Sequence, residues 1–215
     1  MRSITLAVLF SFVLIGSVAA QAEEGADSAI VQKVEQLGGK VMKIAQNDDG
    51  LEVYFHLGRN HDGLRQFETP KPGDPKPAAL DGELGILKEV ENLVWLHLGG
   101  TDVTDEGLPH LAGLSSLTRL HLERTKVSDA GLAHLKDLQN LNYLNLYQTG
   151  ITDAGLAHLE SLTGLKNLYL WQTKVTEAGV EKLQKALPDC KIDVGWKESD
   201  EPAEEEAEEK KEEKS

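Results

Sequence analysis

The chain has 215 residues, 40% of them hydrophobic and 27% charged, with a formal net charge of −14. That length supports one domain with a sizeable core plus appendages, and the acidic balance argues against nucleic acid as a partner. The single cysteine, Cys190, leaves no internal disulfide, so core burial has to hold the domain together and a free structural thiol is its expected role, with intermolecular pairing as the alternative.

The first 22 residues differ from the rest. Arg2 gives a positive start, Ile4 to Ile15 is an apolar run broken only by small or hydroxyl residues, and Ala20-Gln21-Ala22 offers a small-x-small cleavage site. Residues 1–22 are expected to be a secretory signal, because the apolar run is short for a membrane span of about 20 residues. The expectation is an exported protein, in periplasm, envelope or medium, with no transmembrane anchor after cleavage.

Residues 23–50 are expected to form an N-terminal α/β cap, with an amphipathic helix over 26–37 and a strand at VMKIA. Residues 51–92 read as a divergent first repeat, in which Val53, Phe55 and Leu57, followed by Asn60, take strand and ladder positions. Pro70, Pro72, Pro75 and Pro77 then make a stiff extended insertion, read as a surface loop with a lid as the alternative. Helical periodicity resumes from about Ala79 to Val90.

From residue 93 to 187 the chain repeats itself four times with a period of 24 residues. Leu93, Leu117, Leu141 and Leu165 open the units. Leu96, Leu120, Leu144 and Leu168 take the fourth position, and Leu98, Leu122, Leu146 and Leu170 the sixth. Position nine is threonine throughout: Thr101, Thr125, Thr149 and Thr173. The fourth and sixth residues alternate as a strand requires, so both leucines face one side. The second half of each unit (VTDEGLPHL, VSDAGLAHL, ITDAGLAHL, VTEAGVEKL) is expected to start a helix. Thr104, Ser128, Thr152 and Thr176 are N-cap types, and the acid after each suits the positive end of the helix dipole.

One unit cannot bury its leucines, whereas stacked units can, at about 1.5 to 3 kcal/mol per buried leucine. The threonine hydroxyls are placed to satisfy turn backbone groups, and the repeated Gly107, Gly131, Gly155 and Gly179 suggest close approach of helix to strand layer. The stretch 188–196, containing CKIDVGW, is expected to close the stack with a strand. Residues 197–215 hold ten acids and four lysines, a net −6; with +1 on residues 1–22, the body carries −9. Having no apolar residue larger than alanine, this acidic stretch is expected to be a disordered solubilising tail.

The pattern LxxLxLxxTxVTDxGLxxL over residues 93–187 resembles the leucine-rich repeat family, nearest its cysteine-containing subtype, with threonine at the usual asparagine or cysteine position. The resemblance implies an α/β fold: a right-handed solenoid with parallel strands on the concave face and helices on the convex face. It also implies a general role in binding other proteins.

Strand positions three, five, seven and eight should project from the concave side. They carry Tyr54, His56 and Arg59 in the early unit, then Trp95, His97, Arg119, His121, Arg124, Tyr143, Asn145, Tyr147, Asn167, Tyr169 and Trp171. All four tyrosines and two of the three tryptophans fall here, types that dominate binding hot spots. The expected function is non-catalytic binding of a protein or peptide, with carbohydrate binding by the same rings as the alternative and an accessory structural domain as a weaker one. His56, His97 and His121 are placed together at position five, but with no carboxylate or cysteine completing a coordination set a metal is not expected. Neither nucleophile–base pair nor phosphate-binding glycine loop is legible, so no cofactor is expected and the chain is read as no enzyme.

Overall fold

The computed structural model describes residues 28–45, 48–55 and 80–195. Outside them lie the expected signal, His56 and Arg59, the proline-rich insertion and the acidic stretch. The described chain is an α/β leucine-rich repeat solenoid, its strands on the concave face and its helical segments on the convex one. Helix α1 (Ser28–Gln36) buries Val34 against the end of the stack. Strands β1 (Gly39–Lys43), β2 (Leu51–Phe55), β3 (Leu93–His97), β4 (Arg119–His121), β5 (Tyr143–Asn145), β6 (Asn167–Tyr169) and β7 (Lys191–Asp193) lie side by side in sequence order. Only β1 is antiparallel to its neighbour; from β2 onward every pairing is parallel.

Each strand leucine expected to face inward is buried, and the three columns merge into one core running the length of the stack. The hydrogen-bond ladder continues past the strands, Leu122 N–H donating to Asn145 O at 2.9 Å and Arg124 N–H to Tyr147 O at 2.8 Å. At position eight the chain turns away through the left-handed region: Gly100 has φ 73°, Arg124 57°, Gln148 55° and Gln172 56°. A side chain there costs about 1–2 kcal/mol; the turn pairs its backbone with the next unit all the same.

The convex segments are shorter than the periodicity suggests. The first unit has only a 3-10 turn, Leu108–Leu111, and the stretch expected to be helical from Ala79 narrows to the 3-10 segment Leu84–Glu89. Four-residue helices α2 (Asp129–Leu132) and α3 (Asp153–Leu156) pass directly into 3-10 turns, and only α4 (Glu177–Ala186), in the last unit, reaches ten residues. Threonine at position nine holds the strand exit, its hydroxyl donating to the carbonyl three residues back at 2.6–2.7 Å in all four units.

The acids that follow the N-cap positions do more than face a helix dipole. Asp105 accepts both the N–H and the hydroxyl of Ser128 in the next unit, at 2.7 and 2.5 Å. Asp129 does the same for Thr152 at 2.8 and 2.6 Å, and Asp153 for Thr176 at the same two distances. Asp81 begins the series on Thr104 at 2.9 and 2.7 Å. These bidentate contacts join residues 23 apart and fix each unit against the next. They also account for the glycine column: a Cβ on Gly107, Gly131, Gly155 or Gly179 would first strike the preceding unit's aspartate carboxylate. The close approach is thus between neighbouring units, not between helix and strand layer.

Gly179 gives the cleanest test, because the three atoms nearest to a Cβ there all belong to Asp153. In the parent chain, Gly179→Ala should lower the urea midpoint by displacing the carboxylate from Thr176. In an Asp153→Ala background the same change should raise it, since alanine inside a helix is favoured over glycine by about 0.5–1 kcal/mol. Equal effects in both backgrounds would remove the aspartate as the reason for the glycine.

Candidate functional site

The parallel register brings residues 24 apart to the same height on neighbouring strands. One row of the concave face reads Glu52, Trp95, Arg119, Tyr143, Asn167 and Lys191, and the next reads Tyr54, His97, His121, Asn145, Tyr169 and Asp193. A residue of the early unit is misplaced in the sequence reading: opposite His97 stands Tyr54, not His56, because β2 pairs with β3 two residues out from the expected register, with a one-residue irregularity between Leu51 and Glu52. A shift of two keeps every side chain on its face, so Tyr54 stays on the concave side while its neighbours change. His56 and Arg59 fall outside the described residues.

Along the second row the rings stack on one another. Tyr54 and His97 lie 4.4 Å apart between centroids and His97 and His121 4.2 Å apart, both stacked. Tyr143 leans across above Asn145 and continues the column, 4.8 Å from His121 and 5.2 Å from Tyr169. Asn145 itself turns to its own backbone, its Oδ1 accepting Tyr147 N–H at 3.0 Å. Two cations lie over rings: the Arg119 guanidinium 4.4 Å above Trp95 and 5.8 Å from Tyr143, and that of Arg124 5.4 Å from Tyr147. Arg124 Nε also donates to Gln148 Oε1 at 3.1 Å, the partner one unit on at the same left-handed turn. Tyr147 packs 5.4 Å from Trp171, which is 52% exposed. The structure therefore gathers Tyr54, Trp95, His97, Arg119, His121, Arg124, Tyr143, Asn145, Tyr147, Asn167, Tyr169 and Trp171 on one face.

One carboxylate, Glu52, escaped the sequence reading, and a second, Glu123, was placed on the concave face without its depth. Glu52 and Glu123 are each only 6% exposed, beneath the histidines. His97 Nε2 lies 2.6 Å from Glu52 Oε1, and the same carboxylate takes the Tyr54 hydroxyl. Burial first and then this acid push the Tyr54 phenol well above its ordinary range. Glu123 has a looser partner: His121 Nδ1 stands 3.4 Å from its Oε2, in ion-pair range but without hydrogen-bond geometry. Burial alone would raise its carboxyl; His121, the residue's own backbone N–H and the more distant His97 outweigh it and hold the group below the usual glutamate range. Gly99 makes room for this carboxylate, since a Cβ there would overlap it. A glycine facing an acid one unit on was the available signal.

Cys190 is buried, and burial, partly offset by Lys166, pushes its thiol up to about 11, which makes it a poor nucleophile at neutral pH. Among the described residues no group of three His, Cys, Asp or Glu side chains is placed to hold a metal.

Strand-turn-helix units of this period, with parallel strands on the inner face, define the chain as a leucine-rich repeat solenoid. Among solved structures it is similar to an internalin F from Listeria monocytogenes, at 24% identity over 50% of this chain and 29% of that one, TM-score 0.43. An internalin C2 of the same organism matches at 24% identity over 51% of this chain and 54% of its own, TM-score 0.40. A leucine-rich repeat protein of Leptospira interrogans matches at 23% over 52% and 33%, TM-score 0.36. The chain thus spans less than two thirds of the length of each. No protein-family model matches the sequence, and no curated protein does.

The low Glu123 carboxyl has a measurable consequence. A depressed acid contributes stability above its unfolded value, about 4.3, and that contribution is lost as pH falls through the lower folded value. Urea midpoints measured from about pH 6 down to about pH 3 should therefore fall more steeply for the parent than for Glu123→Gln. Parallel curves would mean that the His121 contact contributes nothing.

Proposed function

We propose that this chain is an exported, non-catalytic binding module that recognises a protein or peptide on its concave face. The observation that carries the reading is the concentration of rings, and of arginines lying against them, on one face, with Trp171, the one large hydrophobic exposed among the described residues, beside Tyr147. Such amphipathic, entropically inexpensive side chains dominate interface energetics. The reading takes Tyr54, Trp95, His97, Arg119, His121, Arg124, Tyr143, Asn145, Tyr147, Asn167, Tyr169 and Trp171 as the contact surface. Export rests on the sequence features of residues 1–22; among the described residues no helix is long and apolar enough to cross a membrane. The cysteine-containing subtype rests on the repeat pattern alone.

The stacking bears on the carbohydrate alternative. A pyranose ring needs an open aromatic face, and Tyr54, His97 and His121 are stacked face to face on one another. Capture from an envelope extract decides between the two. The parent chain should retain a protein partner, and Tyr147→Ala with Trp171→Ala should reduce its recovery at least tenfold while the thermal midpoint stays unchanged. Unaltered capture would move the site elsewhere, and enrichment of glycans without protein would favour the carbohydrate reading.

A further inference from the structure

Charge on the concave face is sorted by depth. Of the acids that the register places there, Glu52 and Glu123 are buried against the two histidines, and the exposed Asp193 at the β7 edge has its Oδ1 turned to Gly195 N–H at 2.9 Å. The cations go the other way: Arg119, Arg124 and Lys191 are all exposed. The face that meets a partner is therefore cationic, on a chain whose net charge is −14.

The rings act in the same sense. Aromatic faces carry the negative lobe of the quadrupole and edges the positive one. Stacking of Tyr54, His97 and His121 hides the former between the rings. Arg119, its guanidinium 4.4 Å from the Trp95 ring and 5.8 Å from that of Tyr143, brings a fork of donors to the exposed face, a group matched to carboxylates. Nucleic acid fits less well, because the His97 ring, stacked between Tyr54 and His121, has no face left for bases.

We propose that the concave face takes a carboxylate-rich, extended peptide segment of a partner protein, with Arg119 and Arg124 as its principal contacts. This rests on the binding reading above and gives it a ligand class. Arg124→Gln places in its turn the residue that Gln148 and Gln172 already supply at the same left-handed φ, so the fold should be retained.

The test uses the full chain with fluorescent hexaglutamate, and hexaglutamine and a six-residue oligothymidylate as comparisons, at low salt. Hexaglutamate should bind more tightly than either. Arg119→Gln with Arg124→Gln should weaken it about three- to tenfold, and higher salt should weaken it further, with the thermal midpoint unchanged. Equal binding of hexaglutamine, tighter binding of the oligonucleotide, or indifference to the two arginines overturns the proposal. A second variant, with Glu204, Glu205 and Glu206 all changed to glutamine, covers the chain's own acidic segment: if it binds hexaglutamate much more tightly than the parent, that segment is the occupant and a partner's is not. Failure of hexaglutamate in both chains overturns the acidic specificity, while capture that still depends on Tyr147 and Trp171 would leave the broader reading standing.

Discussion

The structure depends on keeping neighbouring units in register, and the bidentate clamp from each unit's aspartate to the next unit's serine or threonine does this on the convex side. Buried leucines supply most of the attraction between units, but an apolar column tolerates sliding, since one leucine packs much like another. A carboxylate that accepts an N–H and a hydroxyl from one residue tolerates far less displacement. The glycine column follows from the clamp, since the carboxylate occupies the space a Cβ would fill. On the strand side, the threonine hydroxyls and the continuing backbone ladder fix the exit of every strand in the same way.

Register then decides what the concave face can do. Side chains 24 residues apart stand at one height about 4.8 Å from their neighbours, the spacing at which aromatic rings stack. Histidine and tyrosine at matching positions accordingly form a column rather than separate rings. The column covers two buried glutamates, each beside an imidazole. Among the described residues these two acids lie inside while Arg119, Arg124 and Lys191 stand outside with Asp193.

The histidines are engaged with carboxylates beneath them, the thiol of Cys190 is buried and weakly acidic, and the arginines lie on rings. The left-handed turn at position eight adds Arg124, Gln148 and Gln172 as a polar border beside the rings.

The sequence by itself determined the repeat, the inward leucines, the threonine ladder and the face on which nearly every site residue lies, because each follows from period and alternation. It did not determine the register of β2: a two-residue shift preserves alternation, so Tyr54 rather than His56 meets His97 only once the strands are paired. It did not give Glu52 or Glu123 their role, since an acid at an outward strand position reads as solvated until a histidine is found above it. Nor did it separate a helix dipole from an inter-unit clamp for Asp105, Asp129 and Asp153, whose partners lie 23 residues away. Local pattern carries face and periodicity; contacts across units, which set depth, pairing and charge, exist only when the units are stacked.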